Sequence, residues 1–152
     1  MNTKETLSGS WIVDEISRMH INSIPQAWFK TIRKKKAPHA MAILLLWDLL
    51  YWYKWTEKRD EHTGKVVRYE KKFTADLLQR NYAQIAERFG ITKRQATEIV
   101  HFLKDEGLVT LDFRKINVNG MKLHNVLYIG LNPKRIAEIS DESNNLYEDV
   151  GE

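Results

Sequence analysis

The chain has 152 residues, 43% of them hydrophobic and 29% charged, a balance typical of one globular domain with its own core. It contains no cysteine, which excludes disulfides and thiolate metal sites and fits a cytoplasmic protein. The first ten residues, MNTKETLSGS, are polar and do not have the pattern of a secretory signal.

The net charge of +4 is unevenly placed along the chain. Residues 141–152 hold five acids and no Lys or Arg, whereas the other 140 residues carry 24 bases against 15 acids. A positive body suits a partner made of phosphates, although a basic domain with a solubilising tail explains the charge equally well. We expect the tail to be disordered, either as a linker or as a segment that folds back and competes with DNA.

Residues 1–36 are predicted to form an arm of short helical or extended pieces that packs on the core or on a partner subunit. Within it, Trp11 to Ser17 is apolar enough to pack as a short helix or strand. The arm ends in a run of cations that we expect to contact phosphates. These cations are Arg33, Lys34, Lys35 and Lys36.

Pro38 is predicted to open a long helix that reaches Trp55 and is apolar on nearly every face. Its apolar run, Ala40 to Tyr53, is shorter than the ~20 residues that a bilayer needs and contains Asp48, so a core helix is favoured over a membrane span.

A helix of this kind must be covered on all sides. We expect a homodimer contact that combines it with the segments around Trp11 and Trp28, and burial by the N-terminal arm of the same chain is the alternative. The polar stretch that follows, from Trp55 to Lys72, is predicted to be an exposed loop. One short strand, Lys65 to Phe73, is expected to overlap its end.

The segment from Asn81 to His101, NYAQIAERFGITKRQATEIVH, has the layout of two short helices joined by a turn. Asn81 and Gln84 have the spacing of a capping box, Gly90 is suited to end the first helix, and Thr92 is suited to cap the second. Small or apolar residues occupy the positions at which the two helices of such a pair pack together. These are Ala86 in the first helix and Ala96, Ile99, Val100 and Leu103 in the second.

The second helix of this pair is the candidate recognition helix. Its polar side chains are of the kinds that reach base edges in the major groove, and a solvated helix face is the plainer explanation. The candidate DNA-binding residues are Lys93, Arg94, Gln95, Thr97, Glu98 and His101.

A β-hairpin is predicted directly after this helix, with strands Val109 to Ile116 and Leu123 to Gly130. The Asn119-Gly120 pair between them is typical of a tight hairpin turn. Such a hairpin is a wing, and we expect three of its cations to contact backbone phosphates. They are Arg114, Lys115 and Lys122. Pro133 is predicted to open a last short helix.

The stretch from Asn81 to Gly130 resembles the winged helix-turn-helix superfamily. A wider pattern, from IPQAWFKTI through LLYWYKW to FTADLLQRNYAQIAERFGITKRQATEIVHFLKDEGLV, is similar to replication proteins of phages and other mobile elements with a DnaD-like N-terminal domain. The resemblance implies binding of origin DNA, recruitment of helicase-loading proteins and frequent oligomerisation.

These observations predict a mainly α fold with a small β-hairpin wing, in which residues 37–140 form a winged helix-turn-helix that binds duplex DNA during replication initiation. A transcriptional regulator with the same DNA-binding unit, or a winged-helix module that binds only proteins, are the alternatives. No nucleotide-binding loop, metal-ligand spacing or activated nucleophile is present in the sequence, so we expect no enzyme activity, cofactor or metal.

Overall fold

The computed structural model describes residues 10–141. Of these, 41% lie in helices and 27% in strands, so the fold is mixed α/β and the prediction of a mainly α protein was wrong. The reason is that short strands form in segments that the sequence analysis assigned to loops or to the N-terminal arm. The acidic tail, for which disorder was expected, lies outside the described residues apart from Asp141.

The described residues form six helices and seven strands. The helices are α1 (Trp11–Arg18), α2 (Ala27–Thr31), α3 (Ala40–Trp52), α4 (Tyr82–Phe89), α5 (Lys93–Asp105) and α6 (Pro133–Ile139). The strands are β1 (Arg33–Lys34), β2 (Ala37–Pro38), β3 (Thr56–Arg59), β4 (Val66–Glu70), β5 (Leu78–Gln79), β6 (Val109–Val118) and β7 (Met121–Leu131). They pair as three antiparallel sheets: β1–β2, β3–β4 and a sheet with the order β5–β7–β6.

The N-terminal helices belong to the main core. Val13, Ile16 and Trp28 are fully buried in the same apolar cluster as α3, α5 and α6. The indole Nε1–H of Trp28 donates to the Ser140 hydroxyl at 2.8 Å and ties α2 to the end of α6. Trp28 itself is therefore buried within one chain, whereas its neighbour Phe29 is 41% exposed and Trp11 is 55% exposed.

Helix α3 is the centre of the core, but it begins at Ala40 and not at Pro38. Pro38 instead pairs with Arg33 in the β1–β2 sheet, and the His39 ring accepts a hydrogen bond from the Ala42 N–H at 3.4 Å as the helix cap. Leu46 and Leu50 are fully buried. Of the helices within residues 10–141, none has the length and apolar character needed to cross a bilayer.

The segment after α3 is largely exposed, and β4 lies within the predicted strand Lys65 to Phe73, but residues predicted to be loop form its partner strand β3. The Asp60 carboxylate accepts hydrogen bonds from the backbone N–H groups of His62 and Thr63 at 2.8 and 2.9 Å, which closes the turn between the two strands. These bonds, with Thr63 the larger contributor, lower the pKa of Asp60. The aspartate turn, and with it the pairing of β3 with β4, was not predicted from the sequence.

Strand β5 was also missed, and a buried tyrosine holds it in place. The Tyr53 hydroxyl donates to the carbonyl of Ile129 in β7 and accepts from the Leu78 N–H in β5 at 2.9 Å. Tyr53 is fully buried, and this burial raises its pKa. One side chain next to the end of α3 thus bonds to β5 and to β7, the strand of the wing that pairs with β5.

Candidate nucleic-acid interface

Helices α4 and α5 form the helix pair predicted from the sequence caps. Asn81 and Gln84 make a complete capping box at the start of α4, with bonds of 2.7 and 2.9 Å. Gly90 adopts φ +67°, a left-handed conformation that glycine enters without strain. The Ile91 N–H then donates to the Ala86 carbonyl at 3.0 Å, which closes the turn.

The start of α5 uses a second capping box, which the sequence analysis recognised only in part. Thr92 accepts from the Gln95 N–H at 3.1 Å, as its role as a cap requires, and the Gln95 side-chain oxygen accepts from the Thr92 N–H at 2.9 Å. Gln95 was predicted to read bases, yet its oxygen is used to fix the helix start. Only its amide NH₂ group is left to act as a donor to a ligand.

One face of α5 is buried and the opposite face points outward. Ala96, Ile99, Val100 and Leu103 are buried, as their spacing predicted. On the outer face, Lys93, Arg94, Glu98 and His101 are exposed, whereas Thr97 is half-buried. Lys104 was not among the predicted DNA-binding residues, although it is exposed on the same helix. It lies three residues after His101, and this spacing would have identified it.

The outer side chains of α5 are held by weak surface contacts. Arg94 pairs with Glu98 at 3.3 Å, and the Arg94 side chain is 90% exposed, so this pair is screened and easily exchanged. The Thr97 hydroxyl donates to the Lys93 carbonyl at 2.8 Å. The His101 ring lies 3.1 Å from the Tyr82 hydroxyl on α4. Arg94 is therefore the side chain on this face best able to leave its partner for a ligand.

The wing is a long hairpin of β6 and β7. Its turn is the predicted Asn119-Gly120 pair, with φ values of +51° and +81°, which matches the twist that two-residue hairpin turns require. Asn117 lies opposite Lys122, one residue pair from the turn. Lys115 lies at an irregularity in the pairing between Arg114 and Ile116, and both lysines are exposed. The two lysines are thus available to a ligand that approaches the wing.

Arg114, which was predicted to contact phosphates, is paired with two acids of its own chain. Its guanidinium donates to both carboxylate oxygens of Asp76 at 2.7 and 3.1 Å and to Asp112 at 2.8 Å, and it stacks on the Tyr128 ring at 4.3 Å. The hydrogen bonds from Arg114 lower the pKa of Asp76, and those to Asp76 raise the pKa of Arg114. Arg114 fastens the base of the wing to the segment before β5.

This difference between the wing cations makes a testable prediction. Arg114→Gln should lower the free energy of unfolding by about 1–2 kcal/mol, since it loses exposed ion pairs and one cation–π stack. It should not change the dependence of DNA binding on salt. Lys122→Ala should have the opposite effects. It should leave the stability unchanged and lower the slope of log K for DNA binding against log salt by roughly one unit. Urea melts and DNA titrations at several salt concentrations test both variants, and a lowered slope for Arg114→Gln contradicts the assignment.

The predicted basic run forms the tight β1–β2 hairpin. Lys35 stands in its turn with φ +59°, and the Arg33 guanidinium donates to the carbonyls of Phe29 and Lys36 at 3.0 and 2.5 Å. Arg33 thus braces the hairpin. All four cations of the run are exposed.

The β1–β2 hairpin lies beside α5. Lys34 shares a cleft with Gln95, Glu98 and Phe102 of α5. The His39 ring, which follows the hairpin, lies 4.7 Å from the Phe102 ring. Partial burial, and then the charge of Lys34, lower the pKa of His39. Two stretches that are sixty residues apart in sequence are therefore neighbours at the edge of the candidate recognition helix.

Comparison with protein-family models, curated proteins and solved structures found no match for this chain. Function is therefore inferred from the residues themselves. Within residues 10–141, no group of three His, Asp or Glu side chains is placed to hold a metal ion. The candidate functional site is the outer surface of α5 together with the cations that flank it.

Proposed function

We propose that this protein binds duplex DNA, with α5 in the major groove and two basic hairpins on the phosphates beside it. The observation that carries the proposal is the position of the β1–β2 hairpin: Lys34 lines the same cleft as Gln95 and Glu98 of α5. A helix whose outer face is polar, flanked by exposed cations, has the arrangement in which phosphate contacts orient the protein and the helix reads base edges.

Charge supports duplex DNA over a protein partner. Among residues 10–141, nine exposed Lys and Arg side chains lie on α5, the β1–β2 hairpin and the wing, and four lie on the β3–β4 hairpin. A winged-helix module that binds only proteins, which is the alternative, would not need this larger share of cations on α5 and the two hairpins. The resemblance of the sequence to phage and mobile-element replication proteins favours a role in replication initiation over transcriptional regulation, with helicase-loading proteins as partners. A homodimer would present two copies of α5 to half-sites about one helical turn apart.

The test is the loss of sequence discrimination in Arg94→Ala. We expect the variant to lose ~1–3 kcal/mol on a duplex selected for tight binding and to bind a scrambled duplex as the parent does. Arg68→Ala is the matched control, because Arg68 is also an exposed arginine in a surface ion pair, with Glu70 at 2.7 Å, but lies on the β3–β4 hairpin. Fluorescence anisotropy with labelled duplexes measures both.

Two results contradict the proposal. If parent and Arg94→Ala show the same ratio of selected to scrambled affinity, Arg94 does not read bases. If the parent shows no salt-dependent binding to any duplex, the protein does not bind DNA, and the protein-interaction alternative is favoured.

A further inference from the structure

An exposed groove between α3 and α4 is not used by the proposed DNA interface. Leu44, Trp47 and Tyr51 line it from α3, and Phe89 lines it from α4. Leu44 and Tyr51 are 41% and 56% exposed, which is high for large apolar side chains on the central helix of a core. We refer to this surface as the α3–α4 groove.

Cations lie along the α3–α4 groove, whose lining also includes one acid, Asp48. Lys54 lies 5.1 Å from the Trp47 ring centre, and Lys72 lies 4.7 Å from that of Tyr51. Arg88 also lines the groove and pairs with Asp48 at 3.3 Å. A fourth cation, Arg80, lies 4.9 Å above the Trp52 ring, which meets Tyr51 edge to face.

The two lysines at the groove lack an acidic partner among the described residues. The Lys72 ammonium donates to the Lys54 carbonyl at 2.7 Å, and the Lys54 ammonium donates to the carbonyl of Ile21. Partial burial lowers the pKa of both lysines. An occupant with carboxylates beside apolar side chains would complement this surface in both charge and hydrophobicity.

We propose that the acidic segment 142–150 of this same chain, ESNNLYEDV, occupies the α3–α4 groove. The segment offers Leu146, Tyr147 and Val150 to the apolar wall, and Glu148 and Asp149 stand between them to meet the cations. It contains no Lys or Arg that the groove would repel.

The residue that precedes the tail is connected to the groove through Trp28. Ser140, the last residue before the tail, accepts the hydrogen bond from the Trp28 indole at 2.8 Å. The Trp28 ring in turn meets the edge of the Trp47 ring, with 6.2 Å between ring centres. Because an extended chain covers roughly 3.3–3.6 Å per residue, the residues from Asp141 to Asn145 can span roughly 17 Å before Leu146 is reached. This tether gives the segment a high effective concentration that a separate partner lacks.

Single-stranded nucleic acid is the competing occupant, since aromatic rings among cations also bind stacked bases. Here a lysine already covers one face of the Trp47 ring and one face of the Tyr51 ring. This leaves less ring surface for base stacking, while the cations stay able to bind carboxylates.

The experiment uses the full chain and takes advantage of its lack of cysteine. A nitroxide label on Asn145→Cys is unique, and the Nε1–H signals of the five tryptophans report which side chains it approaches. We expect Trp47 and Trp52 to lose most of their NMR intensity and Trp55 to lose little. The loss should disappear when Glu148→Lys and Asp149→Lys are added, or when Tyr51→Glu places an acid in the groove. Val67→Glu, a matched change at a 59% exposed residue of β4, should leave the loss unchanged.

Four outcomes overturn the proposal. The first is equal loss at Trp52 and Trp55, and the second is a loss that survives both Tyr51→Glu and the tail reversals. The third is broadening that also arises when the labelled chain is mixed with an unlabelled ¹⁵N chain, since the occupant is then a second copy. If oligo(dT) binds the parent and Tyr51→Glu weakens that binding while the label detects no docking, the groove is a single-strand site. The outcome does not depend on the proposed duplex binding.

Discussion

Replacing Lys34, Lys35 and Lys36 together with alanine is expected to weaken binding to every duplex, on the order of 100-fold at 0.15 M salt. The three lysines are exposed on the β1–β2 hairpin at the edge of α5, where each can neutralise one phosphate. Losing three contacts removes the release of about three counterions, so the slope of log K against log salt should fall by roughly 2.7. Selected and scrambled duplexes should lose affinity alike, because phosphate contacts carry no sequence information.

The matched control removes the same number of charges elsewhere. The triple variant Lys58→Ala, Lys65→Ala and Arg68→Ala also lowers the net charge by three, but on the exposed β3–β4 hairpin. Its salt slope should stay close to that of the parent. If both triple variants lose affinity equally, net charge alone attracts DNA and the hairpin beside α5 has no special role.

Tyr53→Phe is expected to cost about 2–4 kcal/mol of unfolding free energy although it removes a single oxygen atom. The loss leaves the Leu78 N–H and the Ile129 carbonyl without the partner that the buried hydroxyl supplies. Because β5 has only two residues, this bond is a large share of what holds it to β7. Hydrogen exchange at Leu78 should speed up more than exchange in α5.

Tyr51→Phe is the control for this experiment. Tyr51 is 56% exposed, so removal of its hydroxyl should change stability by less than ~0.5 kcal/mol. Urea melts of the two variants, read by circular dichroism, give both numbers. A cost for Tyr53→Phe no larger than that for Tyr51→Phe contradicts the role assigned to the buried hydroxyl.

The elements that the sequence determined by itself are those with local causes. Asn81 and Thr92 cap their helices with donors three residues away, and Gly90 ends α4 through its own left-handed backbone. The Asn119-Gly120 turn and the proline that opens α6 are equally local. Each needs only a few neighbouring residues, so its chemistry can be read from a short stretch of chain.

Tertiary structure alone decided which distant side chains meet. Arg114 looked like a free wing cation because its partner, Asp76, is 38 positions away. Strand β5 is too short to carry a period-2 pattern and exists because β7 and Tyr53 bind it. The β1–β2 hairpin lies beside α5, where the His39 ring that follows it contacts the Phe102 ring, a contact that no local sequence pattern encodes. Contacts between residues that are distant in sequence depend on how the whole core packs. Which residues become buried or paired is decided by which ones the fold brings within reach of each other.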